Sequence, residues 1–231
     1  MTESNSHINN NLEEISGEMF KRKLGLSILL PLIFICILWI VRFVEHEFGL
    51  SLTGLGIYPR SIKGLHGIIT SPFIHENISH LYNNSLPLFI LGSTIFYFYS
   101  EVAFRVILYS WIMTGILVWL SGRSAWHIGA SGLVYSFSFF VFVSGVIRRY
   151  FRLLALSLLV VFLYGSMVWG MFPFVDLHIS WEAHMMGAFS GIIMAFWFRK
   201  EGPQKPPEPE WLTNEDDNEI INDEILQSFE D

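Results

Sequence analysis

The chain has 231 residues, 52% of them hydrophobic and only 15% charged, with a mean hydropathy of +0.45. Soluble domains carry about 25% charged residues, so this composition describes a membrane protein. The net charge of −7 reflects an acid-rich stretch after Glu201, and such an acidic tail argues against nucleic acid as a partner.

Residues 1–20 are polar and rich in Asn, Ser and Glu, which reads as a disordered cytoplasmic arm. Lys21-Arg22-Lys23 then precedes the apolar run Leu24 to Val44. That run matches a full span of roughly 20 residues. It lacks an Ala-x-Ala-like site at its end, so it reads as a retained helix, not a cleaved signal. The single cysteine, Cys36, lies in this run; it can form no intramolecular disulfide and reads as a buried packing residue.

Five further apolar runs are expected as helices, near His80–Tyr99, Val102–Leu120, Gly129–Ile147, Leu153–Gly170 and Glu182–Phe198. The expectation is an all-α membrane protein, a bundle of six transmembrane helices over residues 21–200. Between the first two helices lies a long loop, Glu45 to Ser79, with Pro59 and Pro72. A connection of that length inside a compact protein is functional or partly structured. Residues 201–231 form an acidic, Pro-containing cytoplasmic tail, extended over Gly202 to Glu210 and solvated beyond.

The basic residues orient the bundle. With the N-terminus inside, ten of the fourteen Lys and Arg residues fall on the inner side and four, Arg42, Arg60, Lys63 and Arg123, on the outer side. The bias places both termini in the cytoplasm, and an even number of spans agrees. The long first loop is then extracytoplasmic.

Three stretches carry possible chemistry. His75-Glu-Asn-Ile-Ser-His80 resembles a zinc-binding helix only superficially. Its histidines are five apart, about 140° around a helix, and cannot chelate one metal. His80 and Asn84, at i and i+4, do share a face. Both can donate hydrogen bonds, and such groups inside an apolar helix suggest function; interhelical hydrogen bonding is the alternative.

The second stretch is Gly129-Ala-Ser131-Gly132, with Tyr135 four residues after the serine. A helix that begins near Gly129 puts Ser131 in its first turn, where unpaired backbone N–H groups can hold an oxyanion. Gly129 and Gly132 permit close backbone approach. A loose turn or a packing motif is the alternative.

The third is His184-Met-Met-Gly187-Ala-Phe-Ser-Gly191. His184, Gly187 and Gly191 lie on one helical face, and the two glycines form a small-xxx-small stripe continued by Ala195. Packing glycines beside an interfacial histidine would satisfy this motif alone. The second, fourth and sixth helices run in one direction, however. His80, Asn84, Ser131 and His184 then all lie within roughly 10 Å of the outer helix ends.

Together, His80-x-x-x-Asn84 preceded by His75, Gly129-x-Ser131-Gly132 with Tyr135, and His184-x-x-Gly187-x-x-x-Gly191 resemble the rhomboid intramembrane serine proteases. The resemblance covers about Leu24 to Lys200. One departure lies in the first loop, where some bacterial members carry Trp-Arg and this chain has Tyr58-Pro59-Arg60. The resemblance implies a Ser131–His184 dyad with no third carboxylate. It implies an oxyanion site built from the Ser131 N–H, His80 and Asn84. Tyr135 would pack on the His184 ring. No cofactor and no metal are implied. The partners would be transmembrane protein substrates within the lipid bilayer, in a multi-pass protein of a bacterial inner membrane. The fifth helix and the loop Met171 to Ser180 would form a lateral gate. A catalytically inert rhomboid-like protein that binds transmembrane clients is the competing expectation.

Overall fold

The computed structural model describes residues 2–173 and 180–205. Six long helices account for most of them: α1 Thr2–Glu47, α2 Ile78–Phe98, α3 Ala103–Ser121, α4 Ser131–Arg148, α5 Phe151–Tyr164 and α6 Trp181–Trp197. The expected all-α six-helix bundle with a long first loop is the observed architecture. Among the described residues, three helical segments (residues 17–47 of α1, then α3 and α4) are by themselves long and apolar enough to cross a membrane. The others carry interior polar groups, as in α2, or are shorter, as in α5 and α6.

α4 is the central helix. It buries residues all round its circumference, from Gly132 and Leu133 to Phe140, Val141 and Gly145. A helix without a polar face belongs in the middle of a bundle. The core around it draws on Leu38 of α1, Leu81, Leu88 and Leu91 of α2, Val106 of α3, Leu153 of α5 and Met194 of α6. α4 and α6 approach most closely, because a Cβ on Gly187 would overlap the Gly132 carbonyl oxygen and one on Gly191 that of Ser136. Small residues are what let two helix backbones meet in a membrane.

Several boundaries differ from expectation for physical reasons. The polar segment over 2–20, expected as a disordered arm, is helical and continuous with the first span. It holds no proline and no glycine before Gly17, so nothing in it stops a helix. Cys36 is exposed on the outward face of α1, not buried; α1 packs chiefly on α2 and leaves its other side to the bilayer. Pro87 does not interrupt α2, and Pro31 sits within α1, packed against Gly92 of α2. α5 ends at Tyr164 and tightens into a 3₁₀ segment, Gly165–Met171. The proposed gate loop lies largely at 174–179, and the acidic tail beyond 205; both are outside the described residues, as is Asp176.

The first loop packs along α3 and meets the turn that precedes α4. Short helical turns at Thr53–Leu55, Ile62–Gly64, Gly67–Thr70 and Ser71–Phe73 organise it. The indole N–H groups of Trp111 and Trp119 on α3 donate to the carbonyls of Ile68 and Ser61, each at 3.0 Å. Tyr58 of the loop packs edge-on against Trp126, 5.1 Å between centroids. An antiparallel backbone bridge joins Ile57 to His127.

At the opposite end, Arg148 closes the bundle. It is 8% exposed and donates to Ser144 Oγ and to the carbonyls of Phe198, Glu201 and Pro203, at 2.6 to 2.9 Å. A buried guanidinium needs such acceptors, and these tie the end of α4 to the end of α6.

Candidate active site

The site forms where α2, α4 and α6 begin. α4 starts at Ser131 because the two residues before it turn the chain. Gly129 has φ +104°, a conformation in which an L side chain is strained. Its N–H donates to the Ser71 carbonyl at 2.9 Å. A side chain there would also collide with His80. Ser131 is thus the first residue of α4, where backbone N–H groups lack intrahelical partners.

His184 is on the first turn of α6 and is 8% exposed. Its Nε2 lies 2.8 Å from Ser131 Oγ, and its Nδ1 lies 2.8 Å from the Gly170 carbonyl oxygen. A carbonyl only accepts, so Nδ1 carries the proton and donates to Gly170. Nε2 is then the acceptor, and the Ser131 hydroxyl donates to it. The ring stacks on Tyr135 with centroids 4.3 Å apart and planes 12° from parallel.

The α2 residues arrive from the other side. Asn77 caps that helix, its side chain accepting from the His80 N–H at 2.8 Å. His80 and Asn84 face the Gly129 backbone. Asn84 is 5% exposed, and its amide nitrogen has no hydrogen-bond partner. A buried donor left unpaired costs about 1–3 kcal/mol, so an acceptor that reached it would be bound favourably.

Eight of the nine candidate site residues come to this region: Ser131, His184, Tyr135, His80, Asn84 and the glycines 129, 132 and 187; Gly191 lies deeper, against Ser136 and Phe140. Gly132 is in close contact with Thr114 and the Ala183 carbonyl, and Gly187 with Gly132. Glu182 is buried against Arg123, with 3.6 Å between Oε1 and Nε.

Two further residues contribute, to which the sequence alone assigns no role. Gly170 holds the histidine through a backbone carbonyl, which no residue type advertises. His75 is buried at 1% exposure and accepts from the Ala130 N–H at 3.4 Å. Its ring edge meets His80, 5.1 Å between centroids. Burial, then the neighbouring His80, pushes its pKa down to about 3, so it is a neutral acceptor. Its position in the His-x-x-x-x-His spacing was the available signal. No group of three His, Cys, Asp or Glu side chains able to hold a metal occurs among the described residues.

A helical membrane bundle that sets a hydrogen-bonded serine and histidine at one end defines a class of protein. A rhomboid-domain family model matches residues 63–201, and the chain belongs to the rhomboid family. Relatives in Mycobacterium bovis and Mycobacterium tuberculosis, each described as an uncharacterized protein, are 33% identical over 175 residues, covering 71% of this chain and 72% of the relative. An uncharacterized protein of Mycobacterium leprae is 31% identical over 174 residues, covering 71% of this chain and 68% of that one.

Proposed function

We propose that the chain is an intramembrane serine endopeptidase that cleaves transmembrane segments of other membrane proteins. The observation that carries this reading is the 2.8 Å contact between Ser131 Oγ and His184 Nε2, with Nδ1 held by Gly170. That arrangement of nucleophile, base and orienting acceptor is the general logic of an activated serine.

Ser131 Oγ attacks the scissile carbonyl carbon as its proton moves to His184 Nε2. The imidazolium is steadied by Gly170, which accepts from Nδ1–H. The carbonyl oxygen takes on the negative charge and is met by the Ser131 N–H, the Asn84 amide and His80. Collapse of the tetrahedral species breaks the C–N bond, and Nε2–H gives its proton to the leaving amine. An ester on Ser131 remains. A water attacks it, loses its proton to Nε2, and releases the acid with Ser131 regenerated.

The orientation that goes with this reading has both termini in the cytoplasm of a bacterium and the site near the outer face. The basic residue bias supports it.

Reaction with a fluorophosphonate probe tests the proposal without knowledge of the substrate. The wild-type protein is expected to label at Ser131, and Ser131→Ala and His184→Ala to remain unlabelled. The wild type is also expected to cut a model transmembrane substrate in detergent, and Ser131→Ala to leave it whole. A folded wild type that neither labels nor cleaves points to the inert, client-binding alternative.

A further inference from the structure

Ser131 and His184 lie on different helices, and each has a polar residue four positions before it. These two residues, His127 and Ser180, are hydrogen bonded to each other at 2.6 Å. The turn that delivers the serine and the turn that delivers the histidine are therefore joined a second time, outside the site.

The partners fix the direction of that bond. His127 Nε2 lies 3.1 Å from the Arg123 carbonyl, which only accepts, so Nε2 carries the proton. The Ser180 hydroxyl then donates to His127 Nδ1. His127 is buried, and burial lowers its pKa below the ordinary imidazole value. On its other side the His127 backbone exchanges both hydrogen bonds with Ile57 of the first loop, at 2.8 and 2.9 Å. Ser180 is the N-cap residue of α6, and its carbonyl accepts from the His184 N–H at 3.3 Å.

A second contact joins the same two segments. Glu182 accepts from the Arg123 N–H at 3.4 Å and faces its guanidinium at 3.6 Å. One contact fixes a separation; two also fix register. Register needs fixing here, because Gly132 and Gly187 bring the backbones together without interlocking side chains.

We propose that His127 and Ser180 are positioning residues, whose hydrogen bond sets the first turn of α6 in register with the Ser131 turn. The inference rests on the hydrolase reading of Ser131 and His184. Neither residue touches the reacting atoms. They act by holding Oγ and Nε2 at a distance where a proton can pass.

The test compares His127→Phe, Ser180→Ala, the double variant and His127→Asn in the full chain. Labelling rate of Ser131, kcat and KM on a model transmembrane substrate, and thermal unfolding are followed together. Each of His127→Phe and Ser180→Ala is expected to lower labelling rate and kcat roughly 10- to 100-fold, with KM nearly unchanged. The double variant is expected to be no slower than the slower single one, since the His127–Ser180 bond is already absent in each single variant. His127→Asn keeps an acceptor at the Nδ1 position and is expected to recover most of the rate, and Ser180→Ala to cancel that recovery. Single variants at the wild-type rate, losses that multiply, or an asparagine as slow as phenylalanine would overturn the proposal. A folded wild type that fails to label sinks the hydrolase reading instead. The unfolding temperatures then decide whether the bond is there: non-additive losses retain the clamp, and additive losses remove it.

Discussion

The imidazole of His184 lies flat on the ring of Tyr135, one helical turn beyond Ser131 on the same helix. α4 thus supplies both the hydroxyl and the platform on which its partner rests. The stack and the Gly170 bond together leave the imidazole one orientation. Tyr135→Phe keeps the stack and is expected to hold the labelling rate of Ser131 within about threefold, whereas Tyr135→Ala loses about tenfold, the equivalent of an aromatic pair. Equal rates for phenylalanine and alanine would show that the stack does not orient the base.

Gly187 and Gly165 form a matched pair for testing helix contact. A Cβ on Gly187 would overlap the Gly132 carbonyl oxygen, which belongs to backbone that cannot swing aside. Gly187→Ala is expected to destabilise by about 1–3 kcal/mol and to slow labelling of Ser131. A Cβ on Gly165 meets only Val161 Cγ1 at 3.7 Å, an ordinary contact. Gly165→Ala is expected to leave both the unfolding temperature and the labelling rate near wild type.

Asn84 separates binding of charge from stability. Its amide nitrogen has no partner to lose, so Asn84→Ala is expected to unfold at the wild-type temperature or slightly above it. The same variant is expected to reduce kcat by about 10²–10³, the worth of one oxyanion donor. A loss of stability with unchanged kcat would instead make Asn84 an interhelical packing residue.

His75 gives the fold a dependence on acid. Its ordinary pKa of 6.5 is lowered to about 3 in the folded chain, so the unfolded state binds the proton more readily. Its contribution is complete above about pH 6.5 and is lost as pH falls towards 3, at about 1.4 kcal/mol per pH unit. His75→Gln keeps an acceptor for the Ala130 N–H and has no charge to gain. Unfolding temperatures between pH 4 and 7 are expected to fall less steeply for this variant than for the wild type. Parallel curves would show that His75 is not held neutral by the fold.

The helices were legible because bilayer chemistry leaves few choices. Runs such as Val102–Leu120 can only be spans, and observed α3 lies within a residue of that reading. The polar residues at the starts of α2, α4 and α6 stood out for the same reason, since His80, Asn84 and His184 are costly inside an apolar helix. The helical state of residues 2–20 is hidden by their polarity, which reads as disorder, although the segment contains no proline. Cys36 was misplaced because apolar surroundings in sequence do not distinguish a neighbouring helix from lipid. The roles of Gly170 and of the His127–Ser180 bond left no trace in residue type. One is a backbone carbonyl, and the other joins positions 53 residues apart.

By itself, the sequence determined a membrane bundle and the handful of polar groups at one end. Hydropathy and charge are properties of single segments, so they can be read locally. The tertiary structure decided what those groups do to one another. Hydrogen-bond direction, the tautomer of His184, its stack on Tyr135 and the unpaired amide of Asn84 depend on distances between helices. Those distances are set by how closely Gly132, Gly187 and Gly191 allow two backbones to meet.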